Sequence, residues 1–93
     1  MANLRDIKKE IDYRLEELLF DCEMAIYVHP SKENEVFGLM QKGVDLRNML
    51  FVKVNNPADA KNRSLVRKHF AALRNEMIAE FDKLFQELSA ANK

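Results

Sequence analysis

The chain has 93 residues with 15 basic and 15 acidic side chains, so its formal net charge at pH 7 is zero and gives no general attraction to nucleic acid. Hydrophobic residues make up 47% of it and charged residues 32%, which suits one folded domain over residues 1–93 and excludes disorder driven by net charge. A single cysteine excludes an internal disulfide, and the lack of a long apolar run argues against a secretory leader or a membrane span, so a cytoplasmic location is expected.

The first predicted helix covers residues 4–28. Its apolar residues recur at steps of three and four, the spacing of one helical face. They are Leu4, Ile7, Ile11, Leu15, Leu18, Cys22 and Ile26. Asn3 is the predicted N-cap, because its side chain can accept a hydrogen bond from the amide of Asp6. His29 and Pro30 should end the helix, since a proline disfavours helical geometry in the residue before it.

The second predicted helix covers residues 33–54, with Ser31 or Asn34 as its candidate N-cap. Its apolar stripe consists of Val36, Met40, Gly43, Val44, Leu50, Phe51 and Val54. A glycine inside a helix costs about 1 kcal/mol relative to alanine. We therefore expect a neighbouring helix to approach closely at Gly43, with a kink as the alternative. The segment 55–57 (NNP) should end this helix.

The third predicted helix covers residues 64–91 and has the most regular stripe of the chain. The stripe consists of Val66, Phe70, Leu73, Met77, Phe81, Leu84, Leu88 and Ala91. Both connections between helices are short, so consecutive helices should pack antiparallel. The sequence therefore predicts an all-α fold, an up-down-up antiparallel three-helix bundle.

Residues 20–30 (FDCEMAIYVHP) combine the only cysteine with a histidine and two carboxylates, and so require a test as a chemical site. Cys22 and His29 lie about 10 Å apart along a helix, too far for direct ligation of one metal ion. His69 is expected near the other end of the bundle, so only a metal site shared between chains stays open. Cys22 belongs to the core stripe, where burial makes a thiol a poor nucleophile. We assign no catalytic, cofactor-binding or metal-ligating residue, and we expect no cofactor.

A second apolar stripe follows the outward face of the first helix. At about 100° per residue, its members fall in one narrow sector opposite the core stripe. They are Tyr13, Phe20, Met24 and Tyr27. Aromatic residues and methionine are enriched at protein interfaces, so this stripe is a candidate contact surface for a second chain. The alternative is that the other two helices cover it within one chain.

Three arginines, Arg14, Arg47 and Arg74, interrupt or border the three apolar stripes at about the same height in the bundle. A charge in such a place must be paired or solvated. Pairing across helices with Asp12, Glu16 or Glu17 is the main expectation. A pocket for a small anion or carboxylate is the functional alternative, and side chains that reach along the surface to water are the third.

Charge is also segregated along the bundle. The end that holds the chain start and the second loop should carry Arg5, Lys8, Lys9, Lys53, Lys61, Arg63, Arg67 and Lys68. The far end should carry Asp21, Glu23, Glu33, Glu35, Glu76, Glu80, Asp82 and Glu87. A solvated surface, an antiparallel dimer that pairs unlike ends, and a nucleic-acid contact are the three interpretations. The last has no supporting motif or interleaved aromatic residues.

Two segments, residues 1–13 (MANLRDIKKEIDY) and 45–57 (DLRNMLFVKVNNP), resemble a family of small uncharacterised bacterial all-helical proteins. The resemblance implies a compact all-helical domain and no assigned activity, and it adds no site residue.

Taken with the outward stripe, these features predict a non-enzymatic interaction protein that forms a homodimer. One alternative is a module that binds nucleic acid or small anions at the basic end. The other is an enzyme whose site is assembled across chains.

Overall fold

The computed structural model describes residues 4–56 and 62–91. Helix α1 is Leu4–Val28, α2 is Glu33–Asn55 and α3 is Arg63–Ala91, with a short 3-10 turn at Pro30–Lys32 between the first two. The described residues contain no β-strand. The predicted helices agree with the observed bounds to within one residue at each end.

The three helices form an elongated bundle of 51 × 19 × 19 Å. Each helix packs against the other two, and the contact between α1 and α3 is the least extensive of the three. Because the chain reverses direction at each connection, α1 and α3 run the same way and their first turns share one end of the bundle. The predicted three-helix bundle is confirmed.

The core runs the length of the bundle and draws on all three helices. Its buried apolar residues are Ile7, Ile11, Leu18, Cys22, Ala25, Val36, Leu39, Leu50, Val54, Leu73, Met77, Phe81, Leu84 and Leu88. The predicted α3 stripe is confirmed from Leu73 to Leu88, whereas Val66, Phe70 and Ala91 are half-buried. In α2, Leu39 replaces its half-buried neighbour Met40 in the core, because the buried face is rotated from the predicted one. Leu4 is helical, but its side chain lies outside the description.

At Gly43, side chains of α1 pack closely against the backbone of α2. A β-carbon built on Gly43 would lie 2.8 Å from Leu18 Cδ2 and 3.1 Å from Leu15 Cδ1. Contacts below 3.0 Å essentially never occur for a real β-carbon, so a larger residue would force the two helices or Leu18 to move. The predicted close approach is confirmed.

The turn between α1 and α2 contains no side-chain cap. The His29 amide continues α1 by donating to the Ala25 carbonyl at 2.8 Å, and the Lys32 amide donates to the His29 carbonyl at 3.0 Å. Lys32 occupies the N-cap position of α2, but its side chain does not cap the helix. The predicted N-cap of α2 at Ser31 or Asn34 is therefore wrong, because the proline-initiated 3-10 turn leads directly into α2.

Side chains satisfy the backbone at the other connection. Asn62 Oδ1 accepts hydrogen bonds from the amides of Ser64 at 3.0 Å and Leu65 at 3.2 Å, which makes Asn62 the cap of α3. At the end of α2, Asn56 Nδ2 donates to the Val52 carbonyl at 2.8 Å, and His69 Nε2 lies 2.9 Å from the Lys53 carbonyl. The predicted cap of α1, Asn3, lies outside the described residues.

Candidate interaction surface on the outward face of α1

The outward stripe of α1 is exposed. Tyr13 is 67% exposed, Phe20 61%, Met24 47% and Tyr27 81%, although Leu18 and Cys22 on the opposite side are fully buried. Neither α2 nor α3 covers these four side chains, so the alternative of internal coverage is wrong. We call these four residues the outward stripe.

Carboxylates border the outward stripe on both sides. Glu16 and Glu23 precede it around the helix, and Glu17 and Asp21 follow it, at about 100° of rotation per residue. All four are exposed, and no cation among the described residues lies within ion-pair distance of any of them. We call them the acidic rim. An apolar surface with an acidic rim complements a partner that is apolar and basic.

An open groove of about 370 Å³ adjoins the outward stripe at Met24, between α1 and α3. Its lining consists of Asp21, Met24, Ala25 and Val28 from α1 and Phe85, Leu88 and Ser89 from α3. Ala25 and Leu88 are buried at its floor, whereas Val28 at its edge is 59% exposed. The small side chain of Ala25 leaves room for an apolar group from outside.

Arg47 joins α2 to α1. Its Nε atom lies 3.0 Å from Asp12 Oδ1, and its Nη1 atom donates to Asn48 Oδ1 at 3.1 Å. The guanidinium carbon also lies 3.8 Å from the centre of the Phe51 ring, a cation–π contact. Pairing of Arg47 across helices, with Asp12 as its partner, is confirmed.

Arg74 joins α3 to α1 through a different carboxylate from those predicted. Its Nε atom lies 3.4 Å from Glu10 Oε2, and neither atom forms a hydrogen bond although both are inaccessible to solvent. Glu10 was not among the expected partners, because the sequence does not fix the shift between α1 and α3. One turn after Glu10, Arg14 Nε is also inaccessible and has no hydrogen-bond partner within the described part of the chain.

The three arginines do not converge on one pocket. Glu10 and Asp12 are two residues apart on α1, which places their side chains about 200° apart around the helix. Arg74 and Arg47 therefore bind opposite sides of α1, each with a carboxylate already in contact. The fold therefore does not bring Arg14, Arg47 and Arg74 together around one anion-binding site, as the predicted anion contact would require.

The basic end carries five exposed cations without a carboxylate in ion-pair range among the residues described. They are Arg5, Lys9, Arg63, Arg67 and Lys68. Lys53 is not one of them, since its Nζ lies 2.6 Å from Glu76 Oε1. Placement of Glu76 at the acidic end was therefore wrong, because α3 is shifted relative to α2. Lys61 lies outside the described residues.

The cysteine is held in a form with little reactivity. Cys22 is fully buried, and burial, followed by the nearby charges of Asp21 and Glu23, raises the pKa of its thiol to about 11. The thiol is consequently neutral at pH 7, as the core position predicted. Over residues 4–56 and 62–91, no three His, Cys, Asp or Glu side chains are grouped so that they could hold a metal ion.

Sequence reasoning found the outward stripe but missed the groove. Val28 and Phe85 were assigned to no surface, although Val28 follows Met24 by four residues and so shares its face. Phe85 could be placed only once the facing sides of α1 and α3 were known.

None of the described helices contains a stretch that is both long and apolar enough to span a membrane.

Comparison with known proteins finds no relative: no protein-family model matches the chain, and no curated protein or solved structure is significantly similar to it. The resemblance of residues 1–13 and 45–57 to a bacterial family stays a prediction.

Proposed function

We propose that the chain is a non-enzymatic interaction protein of the cytoplasm that forms a homodimer through the outward face of α1. The observation that carries this proposal is the exposure of Tyr13, Phe20, Met24 and Tyr27. Contiguous exposed apolar surface of this kind marks contact sites in soluble proteins. Full burial of one such side chain contributes about 1.5–3 kcal/mol, so the stripe supplies enough for a modest dimer after association costs.

A structural role fits the side chains that could otherwise carry chemistry. Cys22 is a neutral, buried thiol, and His69 is used to join α3 to the Lys53 carbonyl of α2. Arg47 and Arg74 hold the helices together through carboxylates of α1. These residues are therefore occupied by the fold, whereas the four side chains of the outward stripe are exposed.

Sedimentation at micromolar concentration tests the proposal. The native protein should be a dimer, and the double variant Phe20→Glu with Met24→Glu should be a folded monomer of unchanged helical content. The matched control is Met49→Glu with Val52→Glu, which places the same charges on exposed apolar residues of α2. A monomeric native protein contradicts the proposal, as does a dimer that persists in the α1 variant and is lost in the control.

A second candidate function is polyanion binding at the basic end. It is favoured by the five exposed cations that pair with no carboxylate of residues 4–56 and 62–91, which are Arg5, Lys9, Arg63, Arg67 and Lys68. Binding of this kind should show as retention on heparin with a steep salt dependence, because cations that contact phosphate or sulfate release counterions. Elution at low salt, unchanged in Arg63→Gln with Arg67→Gln, would contradict it.

A further inference from the structure

The charge of the second half of α1 favours a basic partner. Between Leu15 and Val28 the helix carries four acidic residues and no lysine or arginine. The acidic rim flanks the outward stripe on both sides, so whatever covers the apolar side chains also comes close to these carboxylates. Basic groups on the partner would attract these carboxylates, whereas acidic groups would be repelled by them.

Two α1 helices packed directly on each other would instead bring acidic groups together. In an antiparallel pair centred on Phe20, Glu16 of one copy would lie beside the partner's Glu23. In a parallel pair, Glu16 would lie beside the partner's Glu17. Like charges in such positions are destabilising. Both arrangements also leave the groove beside Met24 without an occupant.

The chain carries a complementary element at the start of α3. With 29 residues, α3 exceeds the 23-residue α2 by about 9 Å at 1.5 Å per residue. At the other end, Lys32 Nζ donates to the Ala91 carbonyl, which aligns the end of α3 with the start of α2. The excess length therefore lies at the first turns of α3, which extend past the end of α2.

These first turns of α3 are both basic and apolar. Arg63, Arg67 and Lys68 are exposed and have no carboxylate partner within the described chain, and Leu65 among them is 42% exposed. Arg63 and Arg67 share the side of α3 that faces α1, because Arg74, seven residues after Arg67, contacts Glu10. Leu65 lies about 160° away, on the side that carries Glu76 and faces α2. The two cations therefore match the carboxylate of Asp21 at the edge of the groove.

We infer that the two copies of the dimer pair antiparallel, with the first turns of α3 in one copy bound to the acid-rimmed half of α1 in the other. Arg63 and Arg67 face Glu17 and Asp21 of the acidic rim at the edge of the groove. A two-fold axis perpendicular to the long axes of the two bundles repeats the contact at the other end. This arrangement rests on the proposed homodimer and specifies which surface of the second copy covers α1.

Reciprocal charge reversal tests the arrangement. The acid variant combines Glu17→Lys with Asp21→Lys, and the base variant combines Arg63→Glu with Arg67→Glu. Each alone should weaken the homodimer by about tenfold or more, measured by sedimentation at low salt. An equimolar mixture should form a heterodimer of near-native affinity, because both of its contacts then join unlike charges. Circular dichroism checks that both variants remain folded.

The matched control reverses two carboxylates of α2, Glu35→Lys with Asp45→Lys. It should dimerise as tightly as the native protein, and it should not restore dimerisation of the base variant when the two are mixed. A native dimer that tolerates both reversals, or variants that the mixture does not rescue, overturns the antiparallel arrangement and leaves the proposed homodimer standing. A native monomer overturns both. Rescue of the base variant by the α2 control would show a general effect of net charge and would also overturn the arrangement.

Discussion

The two faces of α1 are similar in sequence and opposite in environment. Leu18 is fully buried, and Phe20, two residues later, is 61% exposed. Both faces carry large apolar side chains at helical spacing, so hydrophobicity alone does not separate them. The difference arises from the number of neighbours, because α2 and α3 cover only one side of α1. In a small bundle, an apolar stripe therefore shows that a helical face is able to form a contact. The arrangement of the other helices determines whether that face is buried.

Truncation on the two faces should give the largest contrast. Leu18→Ala should lower the free energy of unfolding by about 2–5 kcal/mol, because it leaves a cavity in the core. Phe20→Ala should change it by no more than about 0.5 kcal/mol when measured at concentrations where the chain is monomeric. Urea unfolding measures both. A loss well above 1 kcal/mol for Phe20→Ala in the monomer would show that the outward stripe packs internally.

Alkaline pH should lower the stability of the folded chain through the buried thiol of Cys22. An unperturbed thiol ionises near pH 9.0, and that of folded Cys22 near pH 11, so between these values the unfolded chain loses a proton that the folded chain retains. Stability must then fall as pH rises through this window. The stability advantage of native protein over Cys22→Ala should shrink by about 2–3 kcal/mol between pH 8 and 11.

Urea unfolding of the native protein and of Cys22→Ala, at each pH and under reducing conditions, gives this difference in stability. The contributions of groups that titrate in both proteins cancel. The variant Met24→Ala, on the exposed face, is the control and should follow the native pH profile. An advantage over Cys22→Ala that stays constant across the window would mean that the thiol reaches solvent.

The two glycines of α2 test the contact that buries one face of α1. Gly43→Ala gains about 1 kcal/mol of helix propensity but forces its β-carbon against Leu18, a clash that costs about 1–3 kcal/mol in a packed core. Gly38 has nothing within 4 Å of a built β-carbon, so Gly38→Ala should stabilise the chain by about 0.5–1 kcal/mol. Thermal unfolding that ranks Gly43→Ala above Gly38→Ala would show that the helices separate easily.

The smallest effect is expected at the edge between the two faces. The side chains of Arg47 and Asp12 are 34% and 46% exposed, so water and salt screen their ion pair. Arg47→Ala should cost about 1 kcal/mol, part of it from the lost contact with Phe51. Arg47→Met keeps an apolar side chain over Phe51 and should lose less. A loss above about 3 kcal/mol in urea would indicate a pair that is desolvated in solution.

The helices could be predicted because their signals are local. His29 and Pro30 stop α1, and the stripe from Leu73 to Leu88 identifies the core face of α3. The outward stripe followed from the same periodicity, since a second apolar sector on a helix is visible in the sequence.

Relations between helices could not be predicted in the same way. The pairs Lys53–Glu76 and Arg74–Glu10 depend on how far each helix is shifted along its neighbour, which the apolar spacing leaves open by a turn or more. The groove between Val28 and Phe85 depends on the same shift and on the limited contact of α1 with α3.

The hydrogen bond between His69 and the Lys53 carbonyl makes the end of α2 dependent on α3. A carbonyl only accepts, so His69 Nε2 carries the hydrogen, and in the neutral ring Nδ1 is the free nitrogen. Lys53 belongs to the last turn of α2, where carbonyls have no partner inside the helix. Separation of α3 leaves this carbonyl without its donor. We therefore expect the last turn of α2 and the second turn of α3 to open together, which would give their amides similar hydrogen-exchange protection.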